Sequence, residues 1–285
     1  AYALRALEQA GGALNGSVEL HFTYDEEIGG ELGPGWLLRQ GLTRPDLAIC
    51  AGLSYHIVTA HNGCLQLEVT VLGRPAHAAL PATGVDALQA ATRLMAALYA
   101  LNAAYASRRS QVAGIDHPTL NIGHIEGGTH TNVVPGRVTL KIDRRMIPEE
   151  DPAEVEAELR ALIIGVAAQC AGIEVEVRRL LLARALAPLA GNAPLVTALQ
   201  THGAAVFGEP IAVTGTPLYT DARLYCDAGV PVVLYGAGPR SVIECNAKRA
   251  DEHVRLDDLQ VHEGKCFSAL PSGVHRTNAH LPSAA

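Results

Sequence analysis

Along the chain, apolar and polar positions recur at a spacing of two in some stretches and at helical spacing in others, and the changes mark out elements. Val18 to Tyr24 alternates and runs apolar, which predicts a strand ending at the acidic trio Asp25-Glu26-Glu27. Gly29-Gly30 follows, then Trp36-Leu37-Leu38 on a short helix, then a strand from Asp46 to Cys50. Strand, helix, strand in this order favours a mostly parallel sheet covered by helices. From Cys64 the pattern changes: Leu65, Leu67, Val69 and Val71 alternate with their neighbours, as in a strand with one buried face. An amphipathic helix is predicted from Gly84 to about Tyr105, then strands from Thr119 to Ile125 and from Arg137 to Ile142 around a polar Gly-rich loop. A second helix runs from Pro152 to Cys170, with Asp151 as N-cap and Pro152 at its first position. A strand from Glu174 to Arg179 completes the order strand-helix-strand-strand-helix-strand, the ferredoxin-like plan. After Pro188 the alternation resumes, with a helix from Pro194 to Phe207, a buried strand from Val230 to Leu234 and a helix beginning near Leu256-Asp257-Asp258.

The expected fold is therefore α/β in two parts. One domain takes residues 1–60 and 186–263, and the second, 61–185, is inserted into it. The opening Ala1-Tyr2-Ala3-Leu4-Arg5-Ala6-Leu7 is helical in pattern but lacks an N-cap, and it reads as the second half of a helix. Residues 264–285 lose all periodicity, are rich in Ser, His, Pro and Ala, and read as a disordered tail.

Composition narrows the function classes. Of 285 residues 48% are apolar and 18% charged, which is ample material for a core. The net charge of -7 gives no basic footprint for nucleic acid or an acidic membrane. The longest apolar stretch, near Leu94 to Ala106, falls short of the roughly 20 residues a membrane span requires. Six scattered cysteines without a Cys-x-x-Cys pair read as reduced thiols, hence a cytoplasmic protein.

The chemistry gathers first at Asp25-Glu26-Glu27-Ile28-Gly29-Gly30. Three adjacent carboxylates repel one another unless cations or protons compensate. At the C-terminal edge of a parallel sheet, where ligands bind in such folds, a metal is the natural compensation. Taken alone, the trio reads equally as a solvated acidic turn. Four further segments stand out: Gly73-Arg74-Pro75-Ala76-His77-Ala78-Ala79-Leu80-Pro81; Gly127-Gly128-Thr129-His130-Thr131-Asn132-Val133-Val134-Pro135; Asp143-Arg144-Arg145-Met146-Ile147-Pro148; and Gly215-Thr216 with Thr220-Asp221-Ala222-Arg223. By themselves His77 would be a surface or capping residue and Arg145 an ion-pair partner of Asp143.

Together, in this order, these segments resemble the zinc metallopeptidase and amidohydrolase family that contains acetylornithine deacetylase, succinyl-diaminopimelate desuccinylase, carboxypeptidase G and aminoacylase. The resemblance implies a zinc-peptidase-like catalytic domain, with a mostly parallel sheet, interrupted by a ferredoxin-like dimerisation domain that acts as a lid. It implies two zinc ions, Glu26 as general base toward metal-bound water, and Glu27 as a zinc ligand. It further implies that His77 crosses a dimer interface to the partner's site, and that Asn132, Arg145 and Thr216 bind substrate, Arg145 through a carboxylate. The family's His-x-Asp pair and bridging Asp lie before the helix on which this sequence opens. A further acidic ligand falls by spacing on Gly52, and a last histidine ligand on Lys248 of Asn246-Ala247-Lys248-Arg249. Glycine has no side chain to coordinate with, and a charged lysine has no lone pair. The implied activity is zinc-dependent hydrolysis of the amide bond of an N-acyl amino acid or small peptide by a homodimer. The alternatives are an inactive relative that only folds and dimerises, and a carbamoyl or ureido amidohydrolase.

Overall fold

The structure, a computed structural model, describes residues 4–5, 15–53, 55–236 and 238–256. The expected helix near Leu256-Asp257-Asp258 beyond its first residue, most of the opening helical pattern and the 264–285 tail lie outside the described residues.

In chain order the elements are α1 (Pro34–Arg39), β1 (Ala48–Cys50), β2 (His56–His61), β3 (Gly63–Leu72), β4 (Ala76–His77), α2 (Ala87–Tyr105), β5 (Thr119–Gly127) and β6 (Val133–Val134). There follow β7 (Arg137–Met146), α3 (Pro152–Ala167), β8 (Glu174–Ala183), α4 (Ala193–Phe207), β9 (Ala212–Thr216), α5 (Ala222–Asp227) and β10 (Val232–Leu234).

One four-stranded sheet has the order β5-β7-β3-β8, and every neighbouring pair is antiparallel. With α2 and α3 on one face this is the ferredoxin-like arrangement the sequence predicts. Leu65, Leu67, Val69 and Val71 of β3 point to that face and pack with Ala91, Leu94, Leu98, Leu159 and Ile163 in one core. The alternate positions face outward and are polar: Gln66 stands opposite Asp143 and Glu68 opposite Lys141. Both helices begin on an aspartate. Asp86 accepts from the backbone N–H of Leu88 and Gln89, and Asp151 from Ala153 and Glu154, satisfying donors that a helix start leaves orphaned.

The other sheet has the order β1-β10-β2-β9, with β1/β10 and β2/β9 parallel and β10/β2 antiparallel. It is covered on both sides, and so its strands read as continuous apolar runs. Val58, Val232 and Leu234 pack with Ala222 and Tyr225 of α5, while Ile57 and Val233 pack with Leu195 and Leu199 of α4. Among the described residues no helix is long and apolar enough to cross a membrane.

The two sheets are joined at a seam. β2 runs into β3 with Asn62 alone between them, and the chain returns after β8 past Leu186. At the crossing the N–H of His61 donates to the C=O of Leu186 and the N–H of Leu186 donates back to His61.

One predicted element is absent. Val18 to Tyr24 forms no strand, although its alternation is among the clearest in the chain. Alternation specifies a strand only where an edge is offered to pair with, and this segment lies beside α5 and the loop at Thr43 instead. His21 Nδ1 is 2.6 Å from the Tyr225 hydroxyl, and the Thr43 hydroxyl donates to Glu19 at 2.7 Å. Phe22 and Tyr24 are left exposed.

The two faces of β3 predict very different tolerances. Leu67→Ala, at the centre of the core, should cost about 2–5 kcal/mol. Glu68→Ala, which removes an outward pair with Arg178 (2.8 Å), should leave stability nearly unchanged, since exposed ion pairs contribute little. Urea denaturation of the two variants checks the contrast.

Candidate active site

The acidic trio is not three equivalent charges. Asp25 is buried and turned back into the chain, where one carboxylate oxygen accepts from the N–H of Leu32 (2.7 Å) and of Gly33 (3.0 Å). Its backbone C=O accepts from Ile28 and Gly30, closing a single 3-10 turn over Glu26–Ile28. Gly29 and Gly30 carry φ of 105° and 67°, a left-handed backbone that a side chain would strain. At Gly30 there is also no space, since a Cβ there would overlap the Asp221 carboxylate. From α5, Arg223 reaches under the turn, donates to the C=O of Gly29 and lies 3.7 Å from Glu31.

Glu26 and Glu27 therefore carry the outward chemistry. Partial burial raises the Glu26 carboxyl above its usual range, the negative charges of Asp221 and Glu27 add to this, and the Lys248 ammonium opposes it. Glu27 is exposed, and one of its oxygens lies 2.8 Å from Nζ of Lys248. The hydrogen bond that the ammonium donates to this carboxylate holds its proton more tightly than usual. Gly52, after β1, is packed against the end of β10: a Cβ there would stand 2.9 Å from the backbone of Leu234 and Tyr235.

Arg145 lies on the outer face of β7 and bonds Asp143 through Nε at 2.6 Å, as its residue type alone suggests. It also borders an open hollow of about 530 Å³ lined by Gln66, Asn121, Lys141 and Leu180. Its guanidinium sits 5.3 Å from the ring centre of Tyr219, whose hydroxyl donates to the backbone C=O of Glu27 at 3.3 Å. Burial, with the neighbouring Cys64 and Glu26, pushes the Tyr219 hydroxyl up to about 12, so it stays a donor near neutral pH. Tyr219 thus bridges the outer face of one sheet to the acidic turn beside the other. The sequence reading passed over it, although it directly precedes Thr220-Asp221-Ala222-Arg223.

His77 and Asn132 meet on a two-stranded ribbon, β4 with β6, where His77 opposes Val133 and the Asn132 C=O accepts from Ala78 at 2.9 Å. The Ala79 N–H donates to Nδ1 of His77, so the neutral ring carries its proton on Nε2. Both residues are exposed. Among the described residues, no hydrogen bond or ion pair joins this ribbon to the acidic turn. Thr216 is buried at the end of β9, opposite His61.

Residues 59–169 match the family model described as the peptidase dimerisation domain, M20_dimer. Over 252 residues the chain is 29% identical to the acetylornithine deacetylase of Myxococcus xanthus, covering 83% of this chain and 60% of that protein. The chain thus carries a stretch like the peptidase dimerisation domain and is similar on either side of it to acetylornithine deacetylases. It spans 60% or less of the length of the curated relatives it matches. The aminopeptidase PepT of Bacillus cereus superposes with a TM-score of 0.61 at 24% identity, over 83% of this chain and 60% of that one. The dipeptidase Dug1p of Saccharomyces cerevisiae gives 0.69 at 13% identity, over 92% and 66%. At these identities the likeness is one of fold, a catalytic domain with a dimerisation domain.

The described residues do not fit the zinc centre that the resemblance implies. Among them no three His, Cys, Asp or Glu side chains converge as a metal site needs. Glu27 faces an ammonium, and Gly52 lacks both a ligand and the room for one. His61 supplies nothing either, because both ring nitrogens are engaged: Nδ1 donates to the Asn62 C=O at 2.8 Å and Nε2 accepts from the Thr220 N–H at 3.3 Å.

That histidine has a consequence for stability. Burial, with the nearby Arg223 charge, lowers its pKa from 6.5 to about 4, against the smaller pull of its backbone hydrogen bonds. Between those two values the unfolded chain binds a proton that the folded chain refuses. Stability should therefore be full above pH 6.5, fall as pH drops and level off below 4, by about 3 kcal/mol in all. Chemical denaturation from pH 7.5 to 4 checks the slope, and His61→Gln should flatten that part of it.

Proposed function

We propose that the protein acts on the amide bond of N-acyl amino acids or small peptides, as deacylases, desuccinylases and carboxypeptidases do. The observation that carries this is the Tyr219 bridge, which sets a carboxylate-binding cation, Arg145, within two contacts of the acidic turn. In this reading Arg145 receives the substrate carboxylate at the hollow, where a planar guanidinium suits bidentate pairing. Glu26 takes the proton of the attacking water and passes it to the leaving amine, a task helped by a carboxyl already raised by its surroundings. His77 and Asn132, on their exposed ribbon, act in the site of a second copy, and Thr216 takes part in binding the substrate. Residues 61–185 form the dimerising part, and 1–60 with 186–263 the catalytic part. The disulfide-free Cys50, Cys64, Cys170, Cys226 and Cys245 suit a reducing cytoplasm.

A second reading, that the chain folds and dimerises without turnover, is favoured by a specific pair of observations: the ammonium on Glu27 and the crowded Gly52. Hydrolysis and calorimetric binding with a panel of N-acyl amino acids separate the two. Under the first reading Glu26→Gln keeps ligand binding and loses about 10²–10⁴ in kcat, while Arg145→Met chiefly weakens ligand binding. Absence of turnover, with or without ligand binding, overturns the first reading and supports the second, and turnover of any member of the panel would sink the second.

The assembly is a separate prediction. An exposed ribbon bearing His77 and Asn132 has a role only if a partner is present, and a two-fold dimer is the commonest closed assembly. Light scattering at micromolar concentration should give about twice the 29.9 kDa chain mass. A monomer throughout would remove the role given to His77.

A further inference from the structure

The acidic turn has a charge partner already. Lys248 extends its ammonium to Glu27, 221 positions away in sequence, at 2.8 Å. The loop that delivers it is shaped for the purpose. Asn246, Lys248 and Asp251 all adopt left-handed backbone, with φ of 56°, 62° and 63°, and such positions in side-chain-bearing residues persist only where their surroundings impose them. Here the Lys248 N–H donates to the Glu252 carboxylate at 3.0 Å, the Asn246 amide donates to the Ala250 C=O, and the His253 N–H donates back to Cys245 at 3.0 Å. The backbone at Lys248 is thus held from both sides, and the flexible part is the methylene stem alone.

We infer that the Lys248 ammonium is the resident cation of this site, neutralising Glu27 in the place where the family resemblance expects a metal. The inference deepens the reading of the acidic turn as the functional site and rests on it. Three observations support it jointly. Glu27 and Lys248, two of the positions that the resemblance expects as ligands, contact each other instead. Gly52, the third, cannot carry a side chain beside the Leu234–Tyr235 backbone. The described residues offer no alternative cluster of donors.

The pair does not exclude a metal by strength. Both side chains are about four-fifths exposed, 81% and 78%, and exposed ion pairs contribute little to stability. It excludes one by chemistry: a protonated amine offers no lone pair, and its single charge already meets the carboxylate that a divalent ion would need. Converting position 248 to an imidazole removes the competing charge and adds a donor, so that one substitution should change the site's preference.

The test uses the full chain and zinc alone, with no substrate. Zinc is titrated by calorimetry, and the backbone amide signals of Glu26 to Gly30 are followed by NMR. The wild-type chain should show no saturable zinc response at these amides, and Lys248→Arg should behave the same way. Lys248→His should bind zinc at the turn roughly tenfold or more tightly, the range over which single groups at metal sites act. Circular dichroism confirms that each variant is folded, which an exposed position permits. Saturable zinc binding by the wild-type chain that Glu27→Gln abolishes would overturn the inference, since the metal would then displace the ammonium. Equal zinc affinity in wild type and Lys248→His would overturn it as well. Neither readout depends on turnover, so the amidohydrolase reading can fail while this inference stands, or the reverse.

Discussion

Everything in this molecule hangs on the double crossing at His61 and Leu186. Two strands pass from one sheet to the other side by side, tied by reciprocal backbone hydrogen bonds, with a buried imidazole spanning the gap to Thr220. The pairing fixes where β3 starts, and the start of β3 decides which of its side chains reach the helices. A slip of one residue at Asn62 would turn Leu65, Leu67, Val69 and Val71 outward. The same crossing aligns β9 with β2, which sets the segment from Thr216 to Arg223 and so the underside of the acidic turn. A polar residue is suited to this place because it satisfies the backbone donor and acceptor that strand pairing leaves over at the junction.

The acidic turn divides its charge in a way that composition hides. Asp25 is consumed by the backbone of Leu32 and Gly33, Glu31 is shared by Arg39 and Arg223, and Glu27 meets Lys248. Glu26 alone is left leaning toward Asp221, with like charges on both sides. Repulsion within the trio is thereby converted into distinct environments for neighbouring carboxylates, which is how one sequence motif can hold both a structural anchor and a proton acceptor. Tyr219 then ties this turn to Arg145, so that the outer face of one sheet and the acidic turn beside the other share one linking side chain.

The ferredoxin-like part was legible because its signals are long. β3 and β7 carry ten residues each of alternating burial, and α2 and α3 run for 19 and 16 residues with consistent apolar faces. The other sheet is built from strands of three to six residues, of which the central two are buried on both faces, and such short or doubly buried strands lack alternation. His56–His61 accordingly went unpredicted, as did Ala212–Thr216. Val18–Tyr24 failed in the opposite sense, with good alternation but side-chain contacts to Tyr225 and Thr43 in place of strand pairing. At the site, motif residues such as Glu26, Glu27, His77, Asn132 and Arg145 could be singled out from sequence, and so could the odd lysine at 248. The contact between Lys248 and Glu27 could not, because a separation of 221 residues carries no spacing rule. Tyr219 was invisible for a related reason: its importance lies in two contacts made through the fold, to Arg145 and to the Glu27 carbonyl.

The crowding at Gly52 bears on what this scaffold can become. Gly236 and Gly238 lie against the Gly52 backbone from the other strand, so three glycines share one close approach between the ends of β1 and β10. A carboxylate cannot be restored at position 52 by a single replacement, since its first carbon already collides with main chain that cannot rotate away. Position 248 is the reverse, open to solvent and held by its backbone alone. A donor side chain is thus blocked at position 52 by architecture and at position 248 only by side-chain identity. Engineered versions of this chain can exchange the cation on Glu27 in one step, but any side chain at position 52 requires the strand ends to move apart first.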